Sequence, residues 1–268
     1  MIVMAIQEKC RVLDHQEITP QHFKLTLTSN YIATHAIPGQ FVNVRCGQTF
    51  DPLLRRPISI HRINKEHQQF ELLYKVVGKG TALLSEATVG SEVDILGPLG
   101  NGFRIDPAKQ IHILVGGGLG IAPLRALAEE LSTHNSAVYI LSGYSNKICV
   151  VCEQELKKSA AQLVISTDDG SYGKKGFVSD LLLSLFDDQI TNYQLPTTQI
   201  YACGPTSMLR AITDIAFQKK IDCQVSLEQK MACGIGTCLG CVVKTSNGFK
   251  KVCDDGPVFN SKEIEWQG

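Results

Sequence analysis

Apolar and polar positions alternate along "FKLTLT" (23–28), and β-rich runs recur at "FVNVRC" (41–46) and "FELLYKVV" (70–77), with turn residues such as Pro38-Gly39 between them. A period of two lays one face of a strand on a core and the other in water, so the first hundred residues predict a small antiparallel barrel or sandwich. "GPLGNGF" (97–103) then breaks the pattern with three glycines and a proline in seven residues. Beyond it, short continuous apolar runs, "IHILV" (111–115), "AVYIL" (137–141), "QLVIS" (162–166) and "QIYAC" (199–203), alternate with helical stretches near 123–132, 152–160, 177–186 and 206–218. That alternation predicts a parallel sheet covered on both faces, with 199–203 as its last strand. The last forty or so residues carry too little apolar material for a core of their own and need a metal to organise them. The division expected is 1–104, 105–224 and 225–268.

Composition narrows the class. The 268 residues are 44% hydrophobic, which suits two or three buried cores. Lys+Arg and Asp+Glu are both 26, so no overall basic field draws the chain to nucleic acid or an anionic membrane. "MIVMAI" lacks the basic region and cleavage site of a secretory leader, and the most apolar later stretch, Ile111 to Ala122, is Gly-rich and too short to span a bilayer. A cytoplasmic protein is expected. In that compartment ten cysteines point to metal or redox chemistry before disulfides.

Four of them stand apart. Cys233, Cys238 and Cys241, followed by Cys253, form C-x4-C-x2-C with a distal cysteine, the plant-type [2Fe–2S] spacing. Gly234, Gly236 and Gly240 suit a tight loop that turns backbone N–H groups toward sulfur. A structural zinc site competes, but it usually shows two C-x2 to 4-C knuckles, and Cys253 has no such companion. Cys149 and Cys152 make a C-x-x-C without a thioredoxin-like setting. They, with Cys10, Cys46 and Cys223, read as incidental core thiols.

"ILVGGGLGIAPLRAL" runs from a buried strand through a glycine turn into a helix. Gly118, Gly120 and Pro123 fill the G-x-G-x-x-G slots, with proline at a position that needs no N–H. Such a turn offers exposed amides to a pyrophosphate. Cys203-Gly204-Pro205 ends a strand in the same style, where ligands of open parallel sheets bind. Cys203 reads as a nicotinamide neighbour, with a buried structural thiol nearly as good a reading, and His112 as a core histidine. In the first segment Arg55 and Arg56 could be a solvated pair. With Gly78 and Gly80-Thr81 downstream, however, they suggest a second anion site. Two anion sites imply two nucleotides.

These residues resemble, over essentially the whole chain, the ferredoxin reductase superfamily. Arg56-Pro57-Ile58-Ser59 is similar to its flavin motif R-x-[YI]-S, and Gly118-x-Gly120-x-x-Pro123 and Cys203-Gly204-Pro205 to its nicotinamide motifs. "CDDGPVF" (253–259) and "TDDGSYGKKGF" (167–177) are similar to one branch, the electron-transfer subunits of NAD-dependent (class B) dihydroorotate dehydrogenases. The resemblance implies FAD held by Arg56, Pro57, Ile58, Ser59, Leu73, Tyr74, Lys75, Gly80 and Thr81, and NAD held at Gly118, Gly120, Pro123, Cys203, Gly204 and Pro205. It implies a [2Fe–2S] cluster on the four cysteines. An FMN-containing catalytic subunit would be the partner, in a hetero-oligomer with two of each chain, and no dihydroorotate site is assembled in this one. Ile58 stands where many plant-type reductases carry tyrosine. Hydrogenase-, sulfide- or ferredoxin-linked reductase subunits are the rival reading, and Cys233 argues against the ferredoxin:NADP branch, where a carboxylate is expected. A non-enzymatic redox sensor is disfavoured by the paired nucleotide motifs. "SGYSNK" (142–147) offers no acidic ribose ligand, so charge does not decide NAD against NADP.

Overall fold

The computed structural model describes residues 4–47, 49–190 and 194–266; Met1–Val3 of the opening stretch lie outside it. Residues 6–99 form strands β1 (Ile6–Thr19), β2 (His22–Thr28), β3 (Phe41–Val44), β4 (Arg56–Asn64), β5 (Gln69–Lys75) and β6 (Glu92–Leu99), with short helices α1 (Asn30–His35) and α2 (Lys79–Ser85). The six strands close into an antiparallel barrel in the order β1-β2-β5-β4-β3-β6. Alternate side chains fill it: Leu25, Leu27, Val42, Val44, Ile60, Phe70 and Leu72 are buried inside. The fourteen-residue β1 is absent from the sequence reading because its exposed positions carry charge and its inner face shows only Cys10 and Val12 as fully buried.

The second unit comprises β7 (Ile111–Gly117), α3 (Ile121–Leu131), β8 (Ala137–Tyr144), α4 (Glu153–Lys157), β9 (Gln162–Thr167), the two-residue β10 (Lys174–Lys175), α5 (Val178–Asp188), β11 (Thr198–Cys203), α6 (Thr206–Lys219) and β12 (Asp222–Ser226). All the expected helices and runs are present. The sheet order is β10-β9-β8-β7-β11-β12, parallel throughout. Successive β7 residues face opposite cores: Ile113 and Val115 meet α5 and α6, whereas Leu114 meets α3. The strand at 199–203 is not the last; β12 follows it, its polar Asp222 and Gln224 having hidden the signal.

The remaining segment has a hairpin, β13 (Val242–Thr245) and β14 (Gly248–Lys251), and a final strand β15 (Val258–Asn260). β15 adds antiparallel to β12, so the third segment is joined covalently and by sheet pairing to the second. Among the described residues, no helix is long and apolar enough to cross a membrane.

Candidate functional site

The four cysteines come together at a loop, 233–241, and the turn after β14. Their sulfurs accept from backbone N–H groups: Ile235 and Cys238 donate to Cys233 Sγ, Gly236 to Cys253 Sγ at 3.1 Å, Gly240 to Cys238 Sγ, and Cys253 to Cys241 Sγ. The links join Cys233 with Cys238 and Cys241 with Cys253, and the Gly236 amide ties one pair to the other. Gly234 (φ +70°) and Gly236 (φ +79°) occupy the left-handed region the loop requires; Gly240 does not. Burial works to raise the Cys233 thiol, but the Ile235 and Cys238 amides outweigh it and bring it down to about 6. Burial, then Cys241, pushes Cys253 upward.

This pairing separates the two metal readings. A single tetrahedral zinc would hold its sulfurs about 3.8 Å apart, the edge set by Zn–S bonds of about 2.3 Å. Among the described residues, the group of three candidate ligand atoms mutually within 4.8 Å is His61, Cys152 and Glu155, not any three of the cysteines. Two thiol pairs, bridged by amides, fit a binuclear centre with two thiolates per iron. At His61 the cation is already present: Arg125 Nη1 donates to His61 Nε2 at 3.3 Å and pairs with Glu155.

A cleft of about 410 Å³ opens beside the barrel and gathers most of the residues expected at FAD: Arg56, Pro57, Ile58, Ser59, Leu73, Tyr74, Lys75 and Thr81 line it. The register explains the gathering, since β4 starts at Arg56 and β5 ends at Lys75 on neighbouring strands. Gly80 lies behind Arg56, and a Cβ there would stand 2.7 Å from Arg56 Nε. Arg55 is not available as the second tine of a fork, because it pairs with Asp94 at 2.9 Å. The Thr81 hydroxyl accepts from Val77 N at 2.9 Å and so serves its own loop. Tyr74 stacks on Phe23 and bonds His15 Nε2 at 2.9 Å. The opposite wall is Leu119, Ala122 and the buried Cys203, whose thiol burial and then Glu228 push up to about 12. Glu228 and Met231, just past β12, complete it. No spacing in the sequence marks these two, because they approach through β12 pairing.

The second cleft, about 580 Å³, is lined by Gly117, Gly118, Tyr144, Ser145, Asp168, Pro205 and Met208. It shares Lys75 and Leu119 with the first. Gly118 has φ +54° and open space around it. Gly120, the last residue of the turn before α3, and Pro123 in its first turn are both buried; a Cβ on Gly120 would meet Cys203 O at 2.1 Å. The two nicotinamide motifs are thus packed on each other, and Gly204 abuts Gly117 N. Cys149 and Cys152 are not core thiols as expected. Both are half-buried, Cys149 on the wall of this cleft and Cys152 Sγ 3.6 Å from His61 Nε2. Cys10, Cys46 and Cys223 are buried. His112 is also buried, 3.3 Å from Tyr201 Oη. A hollow of about 710 Å³ on the barrel, near Lys9 and Arg45, holds none of the motif residues.

Three family models match in chain order: an oxidoreductase FAD-binding domain over residues 9–103, an oxidoreductase NAD-binding domain over 114–214, and the iron–sulfur cluster binding domain of dihydroorotate dehydrogenase B over 228–265. The dihydroorotate dehydrogenase B (NAD(+)) electron transfer subunit of Desulforamulus reducens is 39% identical, covering 96% of this chain and 97% of the relative. That of Fusobacterium nucleatum is 37% identical over 96% and 98%. Among solved structures, an NADH-dependent reduced ferredoxin-NADP oxidoreductase superposes with a TM-score of 0.83 at 30% identity, covering 96% of this chain and 90% of that one. The ferredoxin reductase of carbazole 1,9a-dioxygenase, with a TM-score of 0.68 at 20% identity, covers 81% and 67% and shares the fold.

Proposed function

The chain belongs to the family of dihydroorotate dehydrogenase B electron-transfer subunits, and from that premise we propose that it relays electrons from a dihydroorotate-oxidising partner to NAD in pyrimidine nucleotide synthesis. The observation that carries this reading is contiguity. The two clefts meet at Lys75 and Leu119. Phe41, on the wall of the first, packs into the same apolar core as Cys241 and Cys253. Nicotinamide exchanges electron pairs, an iron–sulfur centre single electrons, and a flavin both, so the cofactors supply the chemistry and the protein orients them.

Within that scheme Arg56, on Gly80 at the mouth of the first cleft, holds the flavin pyrophosphate, and Pro57 to Ser59 with Leu73 to Lys75 hold the ring system. Gly118 lets the backbone approach the dinucleotide. Gly120, Pro123 and Gly204 keep that turn packed against Cys203 and Pro205, at the end where the two clefts meet. Cys233, Cys238, Cys241 and Cys253 hold a [2Fe–2S] cluster. The functional units are 1–104, 105–224 and 225–268, except that β12 carries the sheet of the second unit on to Ser226, and the last unit borrows that edge through β15. Cys238 is exposed, and Ile235 and Leu239 beside it are 51% and 64% exposed, an apolar rim suited to an FMN-containing catalytic subunit. The assembly proposed has two of each chain and is cytoplasmic.

The test is to purify the chain with its partner under anaerobic conditions, measure iron, sulfide and acid-released flavin, and follow NAD reduction driven by dihydroorotate. Iron with sulfide, FAD and NADH formation are expected. Zinc in place of iron, or FMN as the only flavin of this chain, would refute the cofactor assignments. Turnover with ferredoxin, hydrogenase or sulfide but not dihydroorotate would move the chain to the rival specificity.

A further inference from the structure

The cluster segment is pressed onto the barrel at two points, and each is held by an asparagine. Asn43, in the middle of β3, is 1% exposed, and its Nδ2 donates to Cys233 O at 3.2 Å. The approach is close, since a Cβ on Gly234 would fall 1.9 Å from that nitrogen. Asn101, just past β6, donates through Nδ2 to Asp254 O at 2.9 Å and Asp255 O at 3.1 Å, and its own N–H donates to Gly256 O. Here too the contact is tight: a Cβ on Gly100 would stand 2.6 Å from Gly256 O. One asparagine therefore grips the limb bearing Cys233 and the other the limb bearing Cys253.

Stability alone gives a poor account of Asn43. Its Oδ1 is buried without a partner among the described residues. An orphan of this kind costs about 1–3 kcal/mol, and an aliphatic side chain of the same shape would avoid it. What an aliphatic side chain could not do is fix the Cys233–Gly234 peptide, from which the Ile235 and Gly236 N–H groups reach Cys233 and Cys253. The location matters as much. Phe41 and Asn43 lie on the outer face of one short strand, with Val42 and Val44 turned into the barrel. Phe41 lines the flavin cleft, and its partner in the β3–β4 register is Ser59, while Asn43 pairs with Pro57. One rigid strand thus carries both a wall of the flavin cleft and the anchor of the cluster loop.

We infer that Asn43 and Asn101 are positioning residues, a two-point clamp that sets where the cluster sulfurs stand relative to the flavin cleft. The inference rests on the cluster reading given above. Without the clamp, loop 233–241 keeps its covalent ends and its sulfur amides but loses its fixed place on β3. Because electron transfer weakens steeply with the separation of the two centres, a cluster displaced from the flavin cleft exchanges electrons with it more slowly.

The experiment uses the assembled, iron-loaded complex with Asn43→Leu, Asn101→Ala and both together. NADH is mixed in by stopped flow, and cluster reduction is timed against flavin reduction in the same trace. The electron paramagnetic resonance spectrum of the reduced cluster and the rate of iron release to a chelator are recorded alongside. The expected result is cluster reduction slowed several-fold relative to flavin reduction, with shifted g-values and faster iron release, and a coupling between the two sites beyond additivity. Should Asn43→Leu fail to load iron, Asn101→Ala decides, because Asn101 is exposed and its loss leaves no buried gap. Variants that match wild type in rate, spectrum and iron release would overturn the clamp. A wild-type chain without iron would overturn the cluster reading, and the clamp with it.

Discussion

The barrel-and-sheet part and the cysteine-bearing end are held in shape by different means. The former packs three apolar clusters and joins its two units through α3 on β4 and a set of ion pairs around Arg125. Between Glu228 and Gly256, by contrast, the buried apolar side chains are Cys241, Val252 and Cys253, two of which are candidate ligands. A segment so poor in apolar burial takes its order from a metal and from its neighbour. The contrast says that damage to the cluster should stay local, whereas damage at the motifs should spread through packing.

Cys238→Ser is the most severe way to probe that contrast. Serine offers a harder, poorly ionised oxygen where iron takes thiolate. The expected outcome is loss of iron and of dihydroorotate-driven NAD reduction, while NADH still reduces the bound flavin and ordinary dyes. Gel filtration must first show that the complex assembles. An assembled, iron-free complex that still reduces NAD from dihydroorotate at the wild-type rate would show that the cluster is not the conduit.

Arg56→Ala acts on the well-packed part at a half-buried side chain that lies over Gly80 and donates to the Leu54 carbonyl, so its main loss is at the cleft mouth. Losing a charge-assisted contact worth roughly 1.5–3 kcal/mol corresponds to about tenfold to hundredfold weaker FAD binding. Flavin retention after gel filtration measures it, and unchanged retention would return Arg56 to an ordinary surface role. Gly120→Ala should do the reverse and disturb the packing first. Its Cβ would collide with Cys203 O, backbone that cannot step aside cheaply. About 1–3 kcal/mol of stability is expected to go, read as a lower melting temperature, together with a raised KM for NADH. A melting curve like wild type would mean that α3 can slide on β11.

The same contrast explains what could be read from the chain. The candidate cluster site was legible because its four cysteines lie within 233–253, in the spacing an iron–sulfur loop uses, inside the segment the iron–sulfur family model matches. The barrel was legible where alternation is strong, as at Phe23–Thr28, and the sheet where apolar runs are continuous, as at Ile111–Val115; both were missed where polar residues interrupt the pattern, as in β1 and β12. Arg56 and Ser59 could be found from a motif. Glu228 and Met231 could not, because the fold brings them in past the end of β12 rather than from any local pattern. Asn43 and Asn101 were invisible for the same reason: each touches a residue more than a hundred positions away.

The smallest effect tests how the two large units are joined. Glu155 accepts from Lys24 of β2 at 2.6 Å, pairs with Arg125 of α3 and lies beside His61 of β4, linking barrel to sheet. His61 Nε2 is already occupied as an acceptor from Arg125, so it is Lys24 and Arg125, which both pair with Glu155 directly, that outweigh burial and hold its carboxyl far below the ordinary value of 4.5. A depressed folded-state pKa contributes stability that is fully present above the unfolded value and fades as pH falls through the folded one. The contribution should therefore be whole at neutral pH and begin to decline below about pH 4.5, where the unfolded chain takes up the proton first. Glu155→Gln keeps the shape and removes the charge, so it should cost about 1–2 kcal/mol at pH 7. The gap to wild type should narrow on acidification, as chemical denaturation at pH 7, 5 and 4 would show. A gap that stays constant across that series would mean that the joint rests on apolar packing of α3 against β4 alone, and that the ion pairs only decorate it.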